Sequence, residues 1–253
     1  MRFTVAGDDG EPVEFECADT LTSRWVCGEI LEGKTYPYLP FVEDARVVFD
    51  VGANCGATTV YLARHYPGAQ IHSFEPGREA RAYLERNVEA HPNVRVHPIG
   101  LHSADQVVPL YKGNGDTILG SVFRRDINLD ESEPVELRAA GPWVAAQGIE
   151  RIDVLKIDVE GCEVDVLESL AGLLPTVKVL YIEYDSRAAR CEVEELVADT
   201  HELYVGIQFL DQGRCIYLRS DIADLEVATT HLRRLVMEGR TASATPSSGG
   251  GTQ

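Results

Sequence analysis

The run Val47-Val48-Phe49-Asp50-Val51-Gly52-Ala53-Asn54-Cys55-Gly56-Ala57-Thr58-Thr59 constrains the fold of this chain more than any other stretch. Its apolar residues read as a parallel strand covered on both faces. Gly52 and Gly56 let the backbone pass close to a ligand, and Thr58 and Thr59 begin an apolar helix over Val60 to Ala63. Strand, glycine loop and helix in that order make a cradle for a nucleotide-type cofactor. The rhythm continues with a strand over 70–74, a helix over 78–90 with Ala80, Tyr83, Leu84, Asn87 and Val88 at helical spacing, and a strand over 94–98. Such alternation predicts α/β architecture around a doubly wound parallel sheet.

Further along, residues 106–139 carry alternating stretches, Val107 to Tyr111 and Val135 to Leu137. They are separated by Gly113-Asn114-Gly115-Asp116 and an acidic loop, Asp130 to Glu133, and read as an insertion beside the binding cleft. A short helix around 143–147 precedes a strand over 152–158, a helix with Val164, Leu167, Leu170 and Leu174 on one side, and a strand over 177–184. After a helix near 192–197, Leu203 to Leu210 and Cys215 to Leu218 flank a turn at Asp211-Gln212-Gly213-Arg214. This hairpin closes an otherwise parallel sheet. Residues 1–45 form an N-terminal cap with β-like pieces at Phe3 to Val5 and Val13 to Phe15 and an aromatic stretch holding Trp25, Tyr36, Tyr38 and Phe41. The main domain is expected over 46–240, ending in a helix near 224–237, and 241–253 as a flexible Ser/Gly/Thr tail.

At 253 residues and 44% apolar content the chain can bury one large core. A formal charge of −18 argues against nucleic acid, whose phosphates call for Lys and Arg. Six cysteines show no CxxC pairing and no interleaved zinc-spaced histidines, so most are expected to be buried thiols. No apolar run reaches membrane-spanning length and Met1-Arg2-Phe3-Thr4 lacks a signal-peptide pattern, so a cytoplasmic location is expected. The expected partners are a small-molecule acceptor and, among proteins, a second copy of the chain.

The glycine loop lacks G-x-G-x-x-G and the Gly-Lys-Ser/Thr ending of a phosphate loop. Instead Asp50 precedes Gly52-x-x-x-Gly56. A carboxylate there repels phosphate but suits a ligand with ammonium and sulfonium charge, and S-adenosylmethionine is such a ligand. Glu75 ends the second strand 23 residues beyond Gly52, where doubly wound folds hold a ribose diol.

Asp50-Val51-Gly52-Ala53-Asn54-Cys55-Gly56, Phe74-Glu75-Pro76, Asn87, and above all Lys156-Ile157-Asp158-Val159-Glu160-Gly161-Cys162-Glu163 with Val166-Leu167 resemble FkbM-type class I methyltransferases over about 46–185. The resemblance implies a Rossmann-like, seven-stranded sheet whose last strand is antiparallel. It also implies S-adenosylmethionine as methyl donor, held by Asp50, Gly52, Ala53, Asn54, Gly56, Glu75, Pro76 and Asp158, with Leu101 and His102 near the adenine. O-methylation of a sugar, polyketide or peptide natural product is the activity it implies.

Ligands of open α/β sheets bind beyond the carboxyl ends of the strands, which singles out Asp158, Glu160 and Glu183. A carboxylate there can take the proton of an acceptor hydroxyl, and His102 is the imidazole candidate by position. The metal-assisted alternative has Asp158, Glu183 and Asp185 holding Mg²⁺. Lys156 reads either as a cation near the substrate or as part of a structural ion pair, and Ser121 as a small residue at the cleft. Three other activities stay open: N-methylation of a cationic acceptor, an NAD-dependent dehydrogenase, and an inactive cofactor-binding partner subunit.

Overall fold

The computed structural model describes residues 1–113, 116–123, 131–223 and 226–233. The Gly113–Asp116 turn at Asn114 and Gly115, the start of the acidic loop at Asp130, the ends of the final helix, and the 241–253 tail lie outside them.

In chain order the elements are β1 (Arg2–Ala6), β2 (Pro12–Glu16), α1 (Leu21–Leu31), β3 (Val47–Val51), α2 (Ala57–His65), β4 (Gln70–Phe74), α3 (Arg78–Asn87) and β5 (Val94–His97). They continue with β6 (Gly100–His102), β7 (Gln106–Gly113), β8 (Asp116–Ser121), β9 (Glu131–Ala139), α4 (Ala140–Ala146), β10 (Val154–Ile157) and α5 (Glu163–Ser169). Last come β11 (Val179–Tyr184), α6 (Arg187–Val197), β12 (His201–Phe209), β13 (Gln212–Arg219) and α7 (Ser220–Ala223), and residues 226–233 are again helical.

The main sheet has seven strands in the order β12-β13-β11-β10-β3-β4-β5. Strands β5, β4, β3, β10 and β11 pair in parallel, while β13 runs antiparallel to both β11 and β12. The hairpin read from the sequence is therefore β12–β13, and its second strand slots between β11 and β12. Val48, Phe49 and Val51 of β3 and every residue of β10 are buried, as expected of parallel strands covered on both faces. One face packs on α4, α5 and α6 through Val144, Val166, Leu167 and Val193. The other packs on α2 and the 36–45 stretch through Leu62, Leu39 and Val42.

A second sheet, ordered β6-β9-β7-β8, carries the stretches expected around 107–111 and 135–137. Strands β1 and β2 pair with each other and pack through Val13 and Phe15 on α1 and α2. Helix α1 was not expected inside the cap. Thr20 caps it by accepting the Ser23 amide at 3.0 Å, and its buried positions are Ser23, Cys27 and Leu31, while Leu21 and Trp25 are exposed. Its buried face is built largely of small residues, so the apolar periodicity that marks most helices is missing.

His72 of β4 and His97 of β5 meet ring to ring, Nδ1 to Nε2 at 3.0 Å, among Phe49, Phe74 and Trp143. Burial, helped by Arg95, pushes both down to about 4. A lowered folded-state value favours the neutral ring, so the stability this pair contributes is complete above about pH 6.5 and is lost as pH falls towards 4. Imidazole NMR shifts of both rings are expected to titrate near 4; titration near 6.5 would show that the pair is solvated.

Candidate functional site

The carboxyl ends of β3, β4, β10 and β11 open into a cavity of about 960 Å³, at the upper end of ordinary ligand sites. Its floor is the loop after β3. Gly52 takes φ +81° and a Cβ there would lie 1.8 Å from the Asp158 carbonyl oxygen; Gly56 takes φ +91° against Leu84 of α3. Both glycines are thus required by backbone geometry and protein neighbours, and only Gly52 lines the cavity, with Ala53 and Asn54. Asn87 holds the loop from behind, its amide donating to the Cys55 carbonyl at 2.8 Å and to the Glu16 carbonyl at 2.7 Å. Asn54 clasps Thr117 of β8 through two hydrogen bonds, 3.0 and 2.9 Å, which ties the second sheet to the loop.

Asp50 lies elsewhere than the sequence placed it. It is fully buried behind the loop and does not line the cavity. Thr59 donates its hydroxyl proton to Asp50 Oδ2 at 2.6 Å, so the 2.9 Å contact of Thr59 with Ser73 must be donated by Ser73. The charge partner of Asp50 is Lys156, its neighbour in the parallel register of β3 and β10, at 3.3 Å. The Lys156 ammonium donates to the Gly52 carbonyl at 2.7 Å and the Val51 carbonyl at 3.3 Å, and sits 3.6 Å from Asp158. Burial opposes this charge, but Asp50 and Asp158 outweigh it and hold the ammonium above its ordinary value. Lys156 fits both of its sequence readings: it braces the loop after β3 from within an ion pair, and it also lines the cavity.

Glu75 at the end of β4 does line the cavity, with Pro76 beside it. Its carboxylate accepts the Asn54 amide at 2.8 Å and the Gly77 amide at 2.7 Å. Burial pushes it up to about 7 against those two donors. Two accepted amides leave lone pairs on a buried carboxylate that faces the cavity, and Leu101 and Cys162 add apolar wall. A carboxylate for a diol beside an apolar slot for a base fits an adenosyl ligand.

On the far side of the cavity, Tyr36 joins two acids that the sequence did not connect. Its hydroxyl lies 2.9 Å from Glu183 Oε1 and 3.1 Å from Asp158 Oδ2, and its single proton is shared between them. Burial, then Asp158 and Glu183, keep the phenol far above its ordinary value, so it stays a donor. Burial and the neighbouring Asp158 push Glu183 up to about 7, despite Tyr36, Lys156 and Arg214. Glu160, at φ +58°, also lines the cavity, and Ser121 donates to its carbonyl at 2.9 Å. Tyr36 arrives from the cap, where Trp25 also reaches the cavity; Tyr38 stacks on His65 and Phe41 packs on Tyr204, both half-buried against the core instead.

Two candidate roles do not match the structure. His102 faces Ser103 and Asp165 of α5 and does not line the cavity, so it is not placed as the base. Asp158, Glu183 and Asp185 do not gather as a metal site. Among the described residues, the three-donor group within 4.8 Å is His102, Cys162 and Asp165. Tyr36 occupies the space between Asp158 and Glu183 and Lys156 supplies the local cation; all three acids line an adjoining cavity of about 200 Å³, but their oxygens do not converge as the His102 group does.

The strand order, the glycine loop with its distal acid, and the acids over the carboxyl strand ends define a class I, S-adenosylmethionine-dependent methyltransferase. The chain belongs to the FkbM methyltransferase family, whose domain matches residues 50–204. That family overturns the dehydrogenase alternative. Methyltransferase 1 of Beauveria bassiana is 29% identical over 173 residues, 60% of this chain and 69% of its own length. 2-O-methyltransferase NoeI of Sinorhizobium fredii is 26% identical over 155 residues, 56% of this chain and 64% of its own. Among solved structures, the putative methyltransferase yhhF of Escherichia coli overlays with a TM-score of 0.48 at 14% identity, covering 87% of this chain and 98% of that one. No helix among the described residues is long and apolar enough to cross a membrane.

Proposed function

We propose that this methyltransferase acts on a hydroxyl of a small-molecule acceptor, with Glu183 as the proton acceptor. The observation that carries the reading is the Glu183–Tyr36–Asp158 link inside the cavity, with Glu183 pushed up to about 7. A general base works best with its value near the operating pH. S-adenosylmethionine, when bound, would supply the methyl group from its sulfonium. Glu75 would hold the ribose, and the loop braced by Lys156 would support the rest of the cofactor. Glu183 would accept the hydrogen bond of the acceptor hydroxyl and take its proton as the oxygen–methyl bond forms and the methyl–sulfur bond breaks, while Tyr36 keeps its hydrogen bond to Asp158. A net charge of −18 favours a small acceptor over a nucleic acid, and a relative whose name reads 2-O-methyltransferase favours oxygen over nitrogen.

The test is a methyl mass gain on sugar, polyketide and peptide alcohols, with cationic amines as the competing panel. On the acceptor that is methylated, Glu183→Gln is expected to lower kcat about 10²–10⁴-fold, while the Kd for S-adenosylhomocysteine stays within about twofold. Wild-type kcat should rise with pH through about 7 as Glu183 loses its proton, and that limb should vanish in the variant. A full rate in Glu183→Gln, or methylation of amines alone, would overturn the proposal.

A further inference from the structure

We propose that His102, Cys162 and Asp165 form a binding site for a borderline-soft divalent transition-metal ion, Zn²⁺ foremost, in the wall of the cofactor cavity. One donor atom from each residue lies within 4.8 Å of the other two. His102 ends β6, Cys162 is the residue before α5, and Asp165 is in its first turn. The site draws on elements far apart in sequence, and Cys162 lines the cavity itself.

The hydrogen bonds around the cluster fix which imidazole nitrogen faces it. Ser103 Oγ donates its only proton to Asp165 Oδ1 at 2.5 Å. At 3.1 Å from His102 Nδ1 it can therefore only accept, which places the ring proton on Nδ1. With Nδ1 turned to Ser103, Nε2 is the nitrogen that points to Asp165 Oδ2, at 3.5 Å, and its lone pair is the one available to an ion. That separation is long for a charge-assisted hydrogen bond, about 2.7–2.9 Å. It is close to the spacing of two ligands of one tetrahedral ion with bonds of about 2.0–2.2 Å. The Ser103 bridge is also the outer contact that metal-bound imidazoles make through their second nitrogen.

The donor set selects the ion. One imidazole, one thiol and one carboxylate suit Zn²⁺ or Co²⁺, whereas Mg²⁺ and Ca²⁺ take oxygen ligands. On binding, the Cys162 thiol gives its proton to solvent and the thiolate sulfur becomes the third ligand, so no oxidant or reductant is involved. Three protein ligands leave one position for water. The ion would join the end of β6 to the start of α5, beside Leu101.

The test uses the tag-free full chain, stripped with a chelator and titrated with Co²⁺, then Zn²⁺. Expected is one equivalent of Co²⁺ with a thiolate-to-cobalt charge-transfer band that Zn²⁺ displaces. Cys162→Ser should abolish the band, His102→Ala should weaken Zn²⁺ binding at least tenfold, and Cys191→Ser, an exposed cysteine on α6, should change neither. Ser103→Ala keeps all three ligands and should weaken binding about tenfold, which guards against misfolding of the ligand variants. Absence of the band, or Zn²⁺ affinity within twofold of wild type in both His102→Ala and Cys162→Ser, would overturn the site and leave a His102–Asp165 ion pair.

Discussion

Replacing Lys156 with methionine is expected to lower folding stability by about 3–5 kcal/mol, because it leaves a buried carboxylate without its cation. Asp50 is wholly buried, and its Oδ1 has no hydrogen-bond partner, only the Lys156 ammonium at 3.3 Å. The same ammonium holds the Val51 and Gly52 carbonyls. The loop after β3, which lines the cavity, should therefore loosen along with the core. Urea unfolding gives the first effect, and titration with S-adenosylhomocysteine the second, as a loss of at least tenfold in affinity. Adding Asp50→Asn to Lys156→Met should recover part of the stability, since the unpaired charge is removed. If the single variant matched wild type in both measurements, the bracing role would be wrong.

Gly52→Ala carries the second large effect. A Cβ would stand 1.8 Å from the Asp158 carbonyl oxygen, and φ of +81° disfavours any side chain. Strain of this kind costs about 1–3 kcal/mol, and a forced backbone shift adds a similar amount. Because the clash pushes directly on Asp158, acceptor turnover should fall further than stability alone explains. Unfolding midpoints and single-turnover rates measured together separate the two. An unchanged midpoint would mean that β3 and β10 can part at their carboxyl ends without cost.

Much of this site was legible in the sequence because it follows from local rules. The glycine loop, Glu75 at the end of the second strand and the acids ending the later strands are all consequences of one βα unit after another. Asp50 was legible as a charge at the loop but not as a buried one. Its depth depends on Lys156 standing beside it in the register of β3 and β10, two strands far apart in the chain. Tyr36 was legible only as one aromatic among several, since its partners Asp158 and Glu183 lie on strands that the cap meets only after folding. His102 failed as a base for the opposite reason: being near the cleft in sequence does not decide which way a ring turns, and Ser103 and Asp165 turn it to α5.

What the sequence determined by itself was the alternation of strands and helices, the cofactor loop, and the set of carboxylates at its rim. Hydrophobic period and glycine placement act over a few residues, so they survive without a tertiary context. The tertiary structure alone decided which of those charges face the cavity and which hold the loop from behind. That choice turns on desolvation and pairing across strands, and burial has no value until distant segments pack against one another.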